Sequence, residues 1–341
     1  MASRFWKAQP ASAIADNGSG KCRVTVASTT GMTTGDTRLF FGFTGTTGLN
    51  GSQTITVIDG THLDVTAVSF VATGTGSING FWDTANTNNW VSSSGGTDYG
   101  QTVPGSGDFV TLDANSGAGT VTPNFGGTIT IQSIAMGAFT GTFDNSVNSN
   151  NITCSNTSQT FNISGSGTRT IKLGSATYTI TGAGIWNAAT TTNLTFTGDS
   201  STIAFASAGA RTFSGGGLTY GTVSVAAGTA GGGLTIVGTN TIAALNVSAP
   251  NYVAFPSSGS NTLTSMNCAG TPTNQIIILP SSALPSSCAI TVSGAIGTWC
   301  SLFGVHCTGS PTASNSFDCG GNSGITITAP SSGMGGYVIG S

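Results

Sequence analysis

The residues that could do chemistry are few. All eleven acidic side chains are aspartates, and the chain contains no glutamate. Four of them, Asp83, Asp98, Asp108 and Asp113, fall within "GFWDTANTNNWVSSSGGTDYGQTVPGSGDFVTLDANSG". Two carboxylates about 5–9.5 Å apart across a glycosidic bond would make a glycosidase, and a cluster of oxygen ligands would hold calcium. The surrounding Gly, Ser, Thr and Asn favour a plainer role, in which each Asp accepts from nearby backbone N–H groups in a turn. No EF-hand or calcium-binding nonapeptide pattern is present. Further along, Asp144, Asp199 and Asp318 stand far apart in neutral text. His62 lies in an alternating strand pattern, and "VHC" sets His306 beside Cys307 without a CxxC pair to anchor zinc. The nucleophile elbow, the zinc-protease helix and the phosphate loop have no counterpart. These residues predict no enzyme, no cofactor and no metal.

Seven cysteines, Cys22, Cys154, Cys268, Cys288, Cys300, Cys307 and Cys319, leave at least one without an intrachain partner. Small buried apolar residues are the expected role for most of them, with disulfides the alternative.

The elements that must carry these side chains are β. Fifty-two of the 341 residues are Gly, only 19 carry charge (eight basic, eleven acidic), and 38% are hydrophobic. Helix formers such as Glu, Lys and Arg are scarce, whereas Thr and Val favour strands. Disordered chains carry more charge and fewer apolar residues. A net charge of −3 offers no basic field, which argues against nucleic acid as a partner. No stretch approaches the ~18 apolar residues of a membrane-spanning helix, and "MASRFWKAQPASAIADNG" lacks the apolar run of a secretory signal.

Five segments follow. Residues 1–20 read as an irregular N-terminal arm. Its "RFWK" (Arg4, Phe5, Trp6, Lys7) either packs on its own domain or plugs into a neighbouring subunit. Residues 21–78, with "CRVTVAS", "QTITVIDGTHLDVT" and the turn signal Asp59-Gly60, read as a small β-barrel or sandwich of four to six strands. Residues 79–120 hold Trp82 and Trp90, expected to be buried where this module meets the next. From 121 to 330 alternating strands recur ("GTITIQSIAM", "NLTFTG", "LTIVGTNTIAALNV"), and Leu194, Leu218 and Leu234 suggest a turn of near 20 residues. Stacked turns of this kind form a continuous core that no single turn has. The fold class is therefore all-β: an N-terminal β-barrel or sandwich module followed by a right-handed parallel β-helix. The last segment, 331–341, ends in "YVIG" and reads as a cap.

Two stretches resemble a known group. "CRVTVASTTGMTTGD…TGTTGLNGSQTITVIDGTHLDV" resembles a small β-module of tailed-bacteriophage structural proteins. "GFWDTANTNNWVSSSGG…VPGSGDFVTLDANSG" resembles the entry motif of β-helical phage tail, fibre and related surface proteins, with Trp82, Asp83, Asn89, Trp90, Pro104, Asp108 and Asp113 matching in order. The "RFW" expected just before the Trp-Asp stands instead at residues 4–6. The resemblance implies a virion component assembled in the host cytoplasm. It would be an exterior capsid decoration or head fibre, or a tail fibre or spike that binds host surface polysaccharide. It further implies a homo-oligomer, by analogy a trimer, attached through its N-terminal part (Arg4, Phe5 and Trp6 among the contacts) to a major capsid or tail protein. Trp82, Trp90, Asp108 and Asp113 would form the structural junction. No membrane insertion and no nucleic-acid partner are implied.

Overall fold

The structure is a computed structural model and describes residues 2–156, 161–181, 184–229 and 232–331. Strand accounts for 48% of the chain, without an α-helix among the described residues, and the dominant feature is a β-solenoid of about eight turns. The chain divides into two compact units, one of Met1–Ser155, Thr160–Tyr178 and Thr190–Asp199, the other of Asn156–Gln159, Thr179–Ala189 and Ser200–Ser341.

Within the first unit, a seven-stranded antiparallel sheet runs in the order Gly51–Thr54, Thr37–Phe41, Gly76–Asn79, Gln9–Asp16, Lys21–Val26, His62–Ser69, Thr56–Val57. Only Ile55 separates the first strand of that order from the last. One extended segment thus pairs with Thr37–Phe41 through its first half and with His62–Ser69 through its second, which curls the sheet into a barrel. Period-2 alternation puts Ile14, Cys22, Val24, Phe40, Leu63, Val65 and Ile78 inside. The Asp59-Gly60 turn forms as expected: Asp59 accepts from the Thr61 and His62 amides at 2.8 Å each. The module has seven strands rather than four to six. It begins at Gln9, so the expected irregular arm is itself strand.

The solenoid part of the first unit stacks parallel rungs. Ser3–Trp6 pairs with Phe109–Thr111, which pairs with Ser133–Ala135 and then Phe161–Asn162. A second stack runs Thr120–Val121, Thr142–Asp144, Arg169–Lys172, Leu194–Thr197. The second unit has two long stacks. One runs Ile185–Asn187, Ala210–Ser214, Gly233–Val237, Asn251–Phe255, Ile276–Pro280, Cys300–Leu302, Phe317–Asp318. The other runs Thr202–Phe205, Thr219–Val225, Thr241–Ser248, Ser260–Ala269, and continues through Cys288–Val292 to Val305–Thr308.

Inside, Ile, Leu, Val and Phe stack on like residues, and the buried Tyr178 and Tyr220 find partners for their hydroxyls. Tyr178 donates to the Leu173 carbonyl at 2.9 Å, and Tyr220 to that of Gly215 at 2.8 Å. The repeat differs from the sequence expectation. Leu194, Leu218 and Leu234 lie on three different strand stacks or their margins, so their spacing is not a turn length. Register gives the true offsets in the second unit: Thr212 to Thr235 is 23, Thr235 to Ala254 is 19, Ala254 to Leu279 is 25.

Candidate functional site

The junction predicted around the two tryptophans is where the first unit concentrates its largest side chains. Trp6, Trp82 and Trp90 are all fully buried. Trp90 packs edge-on against Trp6 at 5.1 Å between ring centroids and against Trp82 at 5.4 Å, and Trp82 meets Phe125 at 5.2 Å. These are favourable aromatic geometries. Backbone pairing sets them: Trp6 lies opposite Trp90 in an antiparallel pair, and the Trp82 amide donates to the Thr122 carbonyl at 2.9 Å.

Here the displaced "RFW" finds its explanation. The strand Ser3–Trp6 is inserted between Trp90–Val91 and Phe109–Thr111 as a rung of the solenoid. The chain then leaves for the whole barrel module and returns at Gly80. Asn89, fully buried, holds exit and return together. Its Oδ1 accepts from the Gly80 amide at 2.7 Å, its Nδ2 donates to the Lys7 carbonyl at 2.9 Å, and its own carbonyl accepts from the Lys7 amide at 2.8 Å. Gly80 admits no side chain, because a Cβ there would lie 2.2 Å from Asn86 Nδ2 and 2.4 Å from Arg38 Nη1. The barrel is thus an insertion, and Trp6 is a neighbour of Trp90 in space although the whole barrel separates the two in sequence.

This placement corrects the reading of residues 1–20 as an irregular arm. Trp6 belongs to the core of its own chain. Phe5 is half-buried on the same rung, and Arg4 bonds the Thr102 hydroxyl at 2.7 Å and the Thr102 carbonyl at 3.1 Å. Removing residues 1–20 would take out one solenoid strand and a central barrel strand of the first unit.

The aspartates of this region are brought to separate turns. Asp83 accepts from the Ala85 and Asn86 amides, and Asp98 from the Ser92 amide. Asp108 accepts from Gly105 and, across the first rung, from Ala2. Asp113 caps the short 3-10 turn Ala114–Ser116. Hydrogen bonds from Ser92 hold Asp98 below the ordinary carboxylate range. Asp83 also lines a polar recess of about 230 Å³ with Asp36, Arg38 and Asn86. There Arg38 is already engaged by Asp36 at 2.6 Å and Asn86 at 2.8 Å. Among the described residues, no group of three or more His, Cys, Asp or Glu is placed to hold a metal. All seven cysteines are free thiols, and Cys22, Cys154, Cys268, Cys288 and Cys300 are buried. The terminal "YVIG" lies outside the described residues.

The second unit has a surface feature that sequence reasoning missed. Its formal charges are Arg211, buried, and Asp318. Register aligns Gly233, Tyr252, Ile277, Ser301 and Phe317 on consecutive rungs. Tyr252 is half-exposed, Ile277 is 41% and Phe317 38% exposed. The Tyr252 ring lies over Gly233, where a Cβ would sit 2.4 Å from the ring. Beside this line, Tyr252, Gln275, Ile277, Asn251, Pro250 and Thr229 surround a recess of about 220 Å³. Gln275 Oε1 accepts from the Ser301 hydroxyl, which leaves its amide N–H groups for another partner. On the next rung, Trp299 is half-exposed and its carbonyl accepts from the Ile276 amide at 3.1 Å. Trp299 has φ = 53°, a left-handed backbone that bulky residues rarely adopt.

The other long stack of the same unit presents a threonine ladder instead: Thr219, Thr241, Thr262, Thr291 and Thr308 fall on successive rungs. Tyr252, Ile277, Trp299 and Phe317 look scattered in sequence. Their spacings of 25, 22 and 18 residues, each close to one turn, were the available signal.

Comparison with protein-family models, with curated proteins and with solved structures finds no match for this chain.

Proposed function

We propose that the chain is a non-enzymatic structural component of a bacteriophage virion, an exterior decoration or fibre protein. It attaches by its barrel module and projects a rigid β-helical body. The observation that carries this reading is the way the module is joined. Both chain crossings between barrel and solenoid meet at Asn89, over a core of three tryptophans. A module joined at two points transmits position to the body better than one on a single linker. The sequence resemblance of residues 22–65 and 80–117 to phage structural proteins supplies the biological setting, and with it a homotrimer and a capsid or tail protein as partners. Within each unit, rungs hydrogen-bonded to their neighbours over a buried apolar core support the role of a stiff body.

The test is excision of the module. Gln9 lies opposite Ile78 in an antiparallel pair, so Ala8 and Gly80 can be joined by two glycines. The expected outcome is a folded solenoid that no longer enters particles. Equal incorporation of excised and intact protein would contradict the reading. A second reading, contact with a host-surface glycan, is favoured by the half-exposed line of Tyr252, Ile277 and Phe317.

A further inference from the structure

We infer that the recess between Tyr252, Gln275 and Ile277, extended along the rungs towards Trp299 and Phe317, is a binding site for a neutral saccharide chain. The inference rests on the glycan reading alone. Particle incorporation and saccharide binding are separate readouts, so either can fail without the other.

Four observations carry it. First, Tyr252 and Ile277 stand on adjacent rungs, about 4.8 Å apart, and Phe317 lies two rungs beyond Ile277 in the same one-residue-wide line. A stable protein–protein interface buries roughly 1,200–2,000 Å² in total and engages about 20–30 residues a side, whereas this line comprises Tyr252, Ile277 and Phe317. A thin, repeating ligand fits it better than a second copy of the chain. Second, the chemistry is mixed in the way a sugar ring requires. One face of a pyranose is lined by C–H bonds and its rim by hydroxyls. Tyr252 and Ile277 present apolar surface, while the free amide of Gln275 and the Thr229 hydroxyl stand at the rim of the same recess. A concave, largely apolar pocket with a few polar groups is the usual form of a small-ligand site.

Third, charge selects against the alternatives. Single-stranded nucleic acid also stacks on aromatic surfaces, but it needs a basic groove. The one arginine of this unit is buried, and the one aspartate, Asp318, stands beside Phe317. Fourth, Trp299 occupies a left-handed backbone position where Gly or Asn would be unstrained. Backbone strain at a half-exposed aromatic is an outlier of the kind that clusters at binding sites.

The tryptophans supply the readout. Of the five, Trp6, Trp82, Trp90 and Trp186 are fully buried and Trp299 is not. Acrylamide added to the intact chain will therefore quench Trp299 selectively. The probe is a panel of neutral oligosaccharides built from glucose, galactose, mannose, rhamnose or N-acetylglucosamine, with hexuronate oligomers and oligothymidylate as charged controls. At least one neutral member is expected to shield Trp299 from acrylamide. Y252A should weaken that shielding tenfold or more without lowering the melting temperature, and Q275A should weaken it several-fold. W299N, which suits the left-handed backbone, should remove the quenchable signal and weaken binding measured by calorimetry. Shielding by no neutral member, shielding by the charged controls alone, or equal affinity in Y252A would each overturn the inference. So would a concentration-dependent association of the chain abolished by Y252A, which would make the line a contact between copies.

Discussion

The barrel module and the second unit handle polar surface in opposite ways. The barrel keeps its charges and pairs them: Arg23 grips Asp64 at 2.8 Å, Arg38 reaches Asp36 at 2.6 Å, and Asp59 meets His62 at 2.9 Å. The second unit has eliminated charge, save Arg211 and Asp318, and covers its rungs with hydroxyls and amides. Surface ion pairs contribute little stability individually, so the difference concerns what each surface meets rather than how firmly it folds. Charges facing a partner fix the orientation of a contact and punish wrong partners. A neutral hydroxyl ladder neither steers nor repels. That contrast agrees with the proposed roles of a docking module and a stiff body.

The sharpest way to break the comparison is at Asn89 and Trp90, where the barrel is tied to the first rungs. Trp90→Ala should cost about 3–5 kcal/mol, as expected for a fully buried large aromatic. Asn89→Ala leaves the Gly80 amide and the Lys7 carbonyl without partners and should cost about 3 kcal/mol. Calorimetry should show the loss in the transition of the first unit, with that of the second unmoved. Trp82→Phe should cost much less, because the Trp82 indole N–H is buried without a protein partner and no hydrogen bond is lost.

The two buried arginines sharpen the comparison next. Arg169, in the first unit, donates to the carbonyls of Ile163, Gly167, Thr190 and Thr192. Arg211, in the second, bonds Asn251 at 2.9 Å and Ser207 at 3.4 Å, and its Nη2 is buried without a partner. Arg169→Met strands several carbonyls and should cost about 2–4 kcal/mol. Arg211→Met relieves an unpartnered buried donor and should be close to neutral. Denaturant titration of both variants checks the order.

The acid limit should then separate the regions, whereas the alkaline limit presses on both, because burial also raises the Cys22 and Cys154 thiols of the first unit. Hydrogen bonding to Arg23 lowers the Asp64 pKa in the folded barrel, and the Thr61 amide followed by the His62 side chain lowers that of Asp59 to about 2. A depressed folded value means the unfolded chain takes up protons first. The stabilisation from these groups is full above about pH 5 and is lost as pH falls through the unfolded value near 3.9 towards the folded one. The second unit, with Asp318 as its one acid, should scarcely respond there. At the other limit, burial raises Cys288 to about 11 and Cys307 to about 12. Unfolded thiols ionise near 8.5, so the second unit should lose stability as pH rises from about 8.5 towards those values. Circular dichroism melts from pH 2 to 11 would reveal both trends.

Much of this architecture was legible in the sequence, and the gaps have physical causes. Alternation such as "CRVTVAS" and "LTFTG" announces strands because a pleated strand exposes every second side chain. Trp82 and Trp90 stood out because two large rings in Gly- and Ser-rich text need a core. The role of "RFW" was hidden because pairing is spatial: nothing local in residues 4–6 signals that their rung partners are Trp90–Val91 and Phe109–Thr111. The line from Tyr252 to Phe317 was hidden by uneven turns, whose loops absorb residues without changing the rung register. Asn89 stood in the motif by its place before Trp90, but its role as the staple is set by hydrogen bonds to Gly80 and Lys7 that no local pattern signals.

The smallest expected effect lies on the threonine ladder. Thr262→Val keeps the β-branched shape at an exposed position and should change stability by no more than about 0.5 kcal/mol. A larger loss would mean that the hydroxyls themselves bind something the neutral-surface account omits.

The most direct test is electron microscopy of phage particles purified from cells that express this chain, with gold labels placed separately in the barrel loop at Gly18-Ser19 and in the exposed loop Ser281–Ser282. The account predicts the barrel label at the particle surface and the solenoid label farther out, repeated around a threefold axis. Absence of the chain from particles, or the solenoid label lying inside the barrel label, would contradict it.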